Sequence, residues 1–333
     1  MISRETWPVL SVYTVVAATI AALMMVLTHG DCIWLTYDAH RFHAMAAAII
    51  AGLTPYLDFV DPKPPLLFGT VAAFDGLAPP GTPDIVLVTG VNIFSAMVLF
   101  TIGHDRYGWV SGFTSGLLFL VAAAAAQGYL LFSEQFAALF LLLGLHCAIG
   151  RHYTRAGVMA GLAGGFKQYA LVALIPLLYL MWIRGDRNHA AMVGGFIAAL
   201  GIPFLVIFIV YGPEAVVAAL YWTFGVSPAY LTGSLSAVPD YLPDNILSFA
   251  ANLILSVTIV LPTLVFAAGS IIRNGLATPE ERTVAFLAAL FMATLLIRQY
   301  LHYWILIVPF LALLACREFR DKPPARRAVR DLG

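Results

Sequence analysis

YDAHRFHAMAAAIIAGLTPYLDFVDPKPPLLF, residues 37–68, is the stretch on which the reading of this chain turns. Three carboxylates (Asp38, Asp58, Asp61), two cations (Arg41, Lys63) and several prolines crowd here between long apolar runs. Elsewhere such groups are sparse: 61% of the residues are hydrophobic and 11% charged, against roughly 45–50% and about 25% in soluble domains. So little polar surface cannot cover a soluble core, and the composition predicts a polytopic, all-α membrane protein. The formal net charge is zero, so no global field points to nucleic acid. Cys32, Cys147 and Cys316 lie far apart and show neither a disulfide framework nor metal-ligand spacing.

A helix crossing the ~30 Å hydrocarbon layer needs about 20 apolar residues. The candidate spans are 8–28, 84–103, 109–127, 134–150, 191–211, 246–272, 283–297 and 302–316. The first is longer than a signal-peptide core and reads as a retained signal anchor, a cleaved signal being the alternative. Residues 64–78 are apolar but short, interrupted by Asp75 and closed by Pro79 and Pro80. Residues 156–183 are apolar but carry Lys167 near their middle.

Charge arbitrates between these segments, because Lys and Arg accumulate in short cytosolic loops. Placing Arg4, Arg106, Arg151, Arg155, Arg184, Arg187, Arg273, Arg282 and the tail from Arg317 to Arg330 inside leaves only Arg41, Lys63, Lys167 and Arg298 outside. That assignment makes 64–78 a surface or re-entrant helix and 156–183 a hairpin turning at Lys167. The hairpin avoids a charge at the bilayer centre, which costs about 2.5–3.5 kcal/mol on insertion scales. Gly157, Gly161, Gly164 and Gly165 suit its first arm to close helix packing. The expectation is about ten transmembrane helices in one domain over 1–316, both termini cytoplasmic. A first external loop spans about 29–83, a later one about 212–245, and 317–333 forms a basic cytosolic tail. No internal repeat is visible.

Within the opening stretch, Phe42, Met45, Ala46, Ile49 and Leu53 recur at helical spacing. They predict an interfacial helix that starts near Asp38 and ends near Gly52, with Pro55 beyond it. By pattern alone, Asp38 reads equally as a helix N-cap or dipole partner. Asp75 reads as part of a solvated face. His40 and His43, three apart, are a weak metal signal without further ligands.

Read together, Asp38, Gly52, Pro55, Tyr56, Asp58, Asp61 and the Lys63-Pro64-Pro65-Leu66 run resemble the first external loop of GT-C membrane glycosyltransferases. The branch most similar comprises protein O-mannosyltransferases, aminoarabinose transferases and RgtA-like proteins. Three further segments resemble the same superfamily in the same order: Ser133-Glu134, GVMAGLAGGFKQY over 157–169, and RQYLHYWILIVP over 298–309. Ala39 departs from the pattern, which often carries a second acidic residue there.

The resemblance implies a glycosyltransferase that takes a sugar from a polyprenyl-phosphate carrier and acts on the external face of a cell membrane. Its acceptor would be a lipid, a glycan or a protein. No glycine-rich phosphate loop is present, in keeping with a lipid-linked donor. An acceptor hydroxyl must lose a proton as it attacks, and a positioned carboxylate can take it. Asp38 is the candidate base, with Glu134 as its orienting partner or a metal contact. Lys63, Lys167, Arg298, Arg41 and His302 are the candidates for the leaving phosphate, where preorganised cations act on developing charge. Each also reads as a headgroup contact or snorkelling anchor. Tyr56, Asp58 and Asp61 are expected to shape the loop or touch substrate. No metal ligand set is assigned, although a divalent ion remains open as a cofactor. In the 212–245 segment, Tyr221, Trp222, Phe224, Tyr230, Asp240, Tyr241 and Asp244 would close over the site or form an aromatic belt. The alternative function is transport or flipping of a lipid-linked saccharide, and a third is a non-catalytic scaffold.

Overall fold

A computed structural model of the chain describes residues 6–27, 36–77, 82–226, 246–296 and 299–320. Among these, every regular element is a helix, and the one β-type pairing is an isolated bridge between Pro55 and Phe59. The α-helices are α1 Thr6–Leu27, α2 Tyr37–Ile50, α3 Pro65–Asp75, α4 Thr82–Tyr107, α5 Trp109–Ala125, α6 Ser133–Ile149, α7 Tyr153–Phe166 and α8 Leu174–Ile183. They are followed by α9 His189–Tyr211, α10 Pro213–Leu220, α11 Ile246–Asn274, α12 Pro279–Thr294 and α13 Val308–Ala315.

Among the described residues, four helices are long and apolar enough to cross a membrane: Thr6–Leu23 within α1, Val86–Tyr107 within α4, α9, and Leu253–Asn274 within α11. The other segments expected to cross are shorter or broken. Residues 302–316, for instance, divide between a 3₁₀ turn at Leu301–Leu306, α13, and the start of a second 3₁₀ turn at Cys316–Phe319. Every residue of α13 is buried, as an all-round apolar helix must be. It lies among α4, α5, α11 and α12 and forms the centre of the bundle.

Helix α2 forms where the periodicity places it, and of the two local roles open to Asp38 it takes that of dipole partner. Thr36, not Asp38, is the N-cap, and its hydroxyl accepts the Ala39 amide at 3.2 Å. Asp38 instead occupies the first turn. Ala39, Phe42, Met45 and Ala46 are buried and face α3, with Phe42 edge-on to Phe68 at 6.1 Å. Leu53, the last member of the pattern, lies beyond the helix end and is exposed. The backbone turns away at Gly52 in a left-handed conformation (φ +83°) that glycine adopts without steric cost. Helix α3 has 11 residues, about 16 Å at 1.5 Å per residue, too short to span the layer.

Residues 153–183 double back at Lys167. Arg151 and Tyr153 at one end both bond Asp186 just past the other, and Arg184 donates to the Ala148 carbonyl at 3.0 Å. A single straight helix from 153 to 186 would separate those groups by about 50 Å. The first arm packs against α9 through small residues. A Cβ at Gly157 would lie 1.9 Å from the Met192 carbonyl oxygen, so this approach requires glycine.

Among the described residues, Arg106, Arg184, Arg273, Arg317 and Arg320 gather at the other end of the bundle. Glu280 pairs with Arg106 at 2.8 Å and with Arg184. Glu281 caps its own helix through Thr278 and pairs with Arg317 at 3.1 Å and Arg320 at 2.7 Å. Arg273 reaches Glu318 at 2.8 Å. Lys167 and the loop after α2 lie at the opposite end.

Candidate functional site

The loop from Gly52 to Pro64 is held by its own polar groups. Asp58 accepts the Thr54 amide at 2.7 Å, and Asp61 accepts the Lys63 amide at 2.9 Å. Tyr56 sits at φ +68°, uncommon for a non-glycine residue. Its buried hydroxyl donates to the Lys63 carbonyl at 2.8 Å. Burial, with Asp61 adding to it, pushes that hydroxyl well above its ordinary titration range, so it stays a donor. Pro64 is extended and Pro65 opens α3 without needing an amide partner. The main chain of Lys63 is thus fixed from both sides.

This frame aims the Lys63 ammonium over the Phe42 ring, 4.9 Å from its centroid. The ammonium lies 3.5 Å from Asp38 Oδ1 and 3.8 Å from Asp61 Oδ1. Arg41 closes the other side of the loop by pairing with Asp61 at 2.8 Å. Burial pushes the Asp38 carboxyl upward, but the summed attraction of Lys63, His302 and Lys167 outweighs it and holds Asp38 below its usual range.

Three distant segments complete the cluster. Glu134 stands in the first turn of α6, where the helix dipole favours a carboxylate. It is buried, accepts the Ser133 hydroxyl at 3.0 Å and holds Lys167 Nζ at 2.6 Å. Lys167 projects from the break between α7 and the following 3₁₀ turn, where its backbone is extended (φ −144°, ψ 117°). Its ammonium also lies over the rings of Tyr169 at 5.3 Å and Tyr303 at 4.9 Å. His302 Nε2 lies 3.8 Å from Glu134, and its ring stacks on Phe132 at 4.1 Å and on Tyr300 at 5.4 Å. Gln168 donates to the Pro62 carbonyl at 2.9 Å and so ties the hairpin tip to the first loop.

The structure therefore brings Asp38, Lys63, Glu134, Lys167 and His302 together, with Arg41, Tyr56, Asp58 and Asp61 in the adjoining loop. Arg298 lies outside the described residues, as do Tyr230, Asp240, Tyr241 and Asp244. Tyr221, Trp222 and Phe224 fall in a π-helical turn at Tyr221–Gly225, in which Thr223 is buried. The aromatic floor of Phe132, Tyr169, Tyr300 and Tyr303 was not singled out by sequence reasoning. Its only trace is the clustering of aromatic residues beside Lys167 and His302. Among the described residues, no group of three His, Cys, Asp or Glu side chains is arranged to hold a metal ion.

Asp75 and His43 differ from expectation. Asp75 is not on a solvated face: its side chain is 8% exposed and pairs with His43. His43 has carboxylate partners, Asp75 and Asp84, on both ring nitrogens.

No protein-family model and no curated protein matches the chain in sequence. Its fold is similar to that of the Archaeoglobus fulgidus oligosaccharyltransferase, solved as a crystal structure in the apo form. The TM-score is 0.55 at 11% sequence identity, over 94% of this chain and 50% of that one. The chain thus spans about half the length of that protein.

Proposed function

We propose that this chain is an integral-membrane glycosyltransferase of the GT-C type, transferring a sugar from a polyprenyl-phosphate donor to a lipid, glycan or protein acceptor. The observation that carries the reading is the convergence of Asp38, Lys63, Glu134, Lys167 and His302 from five separate segments. Such a site offers both chemical needs of the reaction. Asp38, held ionised, accepts the proton of the attacking hydroxyl. Lys63 and Lys167 meet the phosphate that departs, where fixed cations act in a water-poor setting. The likeness to an oligosaccharyltransferase, a GT-C enzyme by type, supports the same class.

The test is transfer by the purified protein in proteoliposomes, supplied in turn with radiolabelled polyprenyl-phosphate sugars and a membrane-extract acceptor pool. Label is expected to move to acceptor with at least one donor. Label that crosses the bilayer while remaining on its carrier would replace the reading with a flippase.

In this reading the site faces the exterior and both termini the cytosol. The segregation of Arg106, Arg184, Arg273, Arg317 and Arg320 to the opposite end supports that orientation. In a cysteine-free background, a thiol at the exposed Leu57 should react with an impermeant maleimide on intact cells. A thiol at Arg187 should react only after lysis; the reverse pattern would invert the orientation.

A further inference from the structure

His43 lies five residues after Asp38 on α2, about 7.5 Å along the helix axis. Its Nδ1 is 2.8 Å from Asp75 at the end of α3, and its Nε2 is 2.8 Å from Asp84 in the first turn of α4. The three side chains are 12%, 8% and 1% exposed. One imidazole therefore joins three helices at a place where water cannot substitute for a lost bond.

The chemistry of the ring fixes its protonation. A neutral imidazole has one N–H and one lone pair, whereas two carboxylate partners both require donors. The bridge is complete only with the imidazolium. Hydrogen bonding to Asp84 is the largest cause that raises its titration, burial opposes it, and Asp75 adds to the rise, bringing His43 to about 9. No other titratable group on the packed elements competes. Helix α3 has no other titratable side chain, and α4 has none between Asp84 and His104. On α2 itself, His40 is exposed, Arg41 pairs with Asp61, and Asp38 pairs with Lys63.

We propose that the Asp75–His43–Asp84 bridge is a clamp that seats α2, and that His43 is thereby a positioning residue for Asp38. Its role in transfer rests on the reading of Asp38 as the acting base; the clamp itself does not. Because the folded-state titration is raised from 6.5 to about 9, the clamp's stabilisation is complete below the unfolded value. It declines as pH rises and is gone above the folded value.

The experiment is amide hydrogen exchange of the full chain in nanodiscs from pH 6 to 10, corrected for intrinsic base catalysis, on wild type, His43→Ala and Asp84→Asn. In the wild type, α2 should lose protection about tenfold or more above pH ~9 while α9 does not. His43→Ala should show that loss at every pH. Asp84→Asn should abolish the pH dependence, because an asparagine amide can donate to Nε2 of a neutral ring whose Nδ1–H still serves Asp75. An α2 whose protection is flat across pH 9 in the wild type and unchanged in Asp84→Asn would overturn the clamp. In the transfer assay, His43→Ala should lower kcat about 10²-fold, and Asp84→Asn should keep near-wild-type kcat at neutral pH and above. A loosened α2 with undiminished kcat would overturn the positioning role. The exchange measurement needs no sugar donor, so it decides on the clamp whatever becomes of the transferase reading.

Discussion

Asp38→Asn is expected to reduce sugar transfer by about 10²–10⁴-fold, the usual contribution of a positioned general base, while leaving the fold intact. The substitution is nearly isosteric, and Asp38 forms neither the helix cap, which is Thr36, nor a core contact of α2. What it removes is the negative oxygen set 3.5 Å from the Lys63 ammonium. The asparagine oxygen can still accept a hydrogen bond from Lys63, but it cannot take a proton from an incoming hydroxyl. The loss should therefore fall on kcat and kcat/KM together, with little change in KM. The pH profile gives a second check. Burial raises the Asp38 carboxyl, yet Lys63, His302 and Lys167 together hold it below its usual range. The ionised form is thus present through the neutral region and is lost only as pH falls through the depressed folded value, so the acid limb of transfer should lie below the ordinary carboxylate range. Undiminished transfer by the asparagine variant would remove Asp38 as the base.

Sequence reasoning reached α2 and the loop after it because both are written in local rules. The apolar spacing at Phe42, Met45 and Ala46, the break at Gly52 and the Pro64-Pro65 start of α3 act over a few residues each. The hairpin at Lys167 was legible for a different reason, since a buried charge in one long span is too costly and the glycines of the first arm permit close packing. What remained hidden depends on distant partners. Nothing near His43 in the chain indicates that Asp75 and Asp84 will meet it 32 and 41 residues later. Asp75 ends an apolar run as a surface residue would, and only the return of α4 buries it. The ring stack of Phe132 on His302 joins residues 170 positions apart, and its members look like ordinary membrane aromatics in sequence. The number of crossings was the least legible, because short and broken helices such as α8 and α13 lack the length that a hydropathy rule requires.

Breaking the Glu134–Lys167 pair is expected to produce the largest loss of stability in the site. Both side chains are nearly fully buried, and their charged atoms lie 2.6 Å apart. Lys167→Met would leave the Glu134 carboxylate with His302 at 3.8 Å as its nearest remaining basic partner. Removing one member of a buried pair typically costs about 3–5 kcal/mol, because the other charge stays desolvated. Glu134→Gln should be destabilising as well, though Tyr169 and Tyr303 retain some attraction for the Lys167 ammonium through their ring faces. In the double variant neither charge remains, so much of the stability should return and the coupling between the two changes should be large and favourable. Thermal unfolding of all four proteins in one detergent measures that cycle. Transfer separates structure from chemistry: if Lys167 meets the departing phosphate, the double variant regains its melting temperature but not its activity. Recovery of both would make the pair a structural strut and move the phosphate site onto Lys63. Additive losses in stability would instead show that the two groups are not energetically paired in the folded protein.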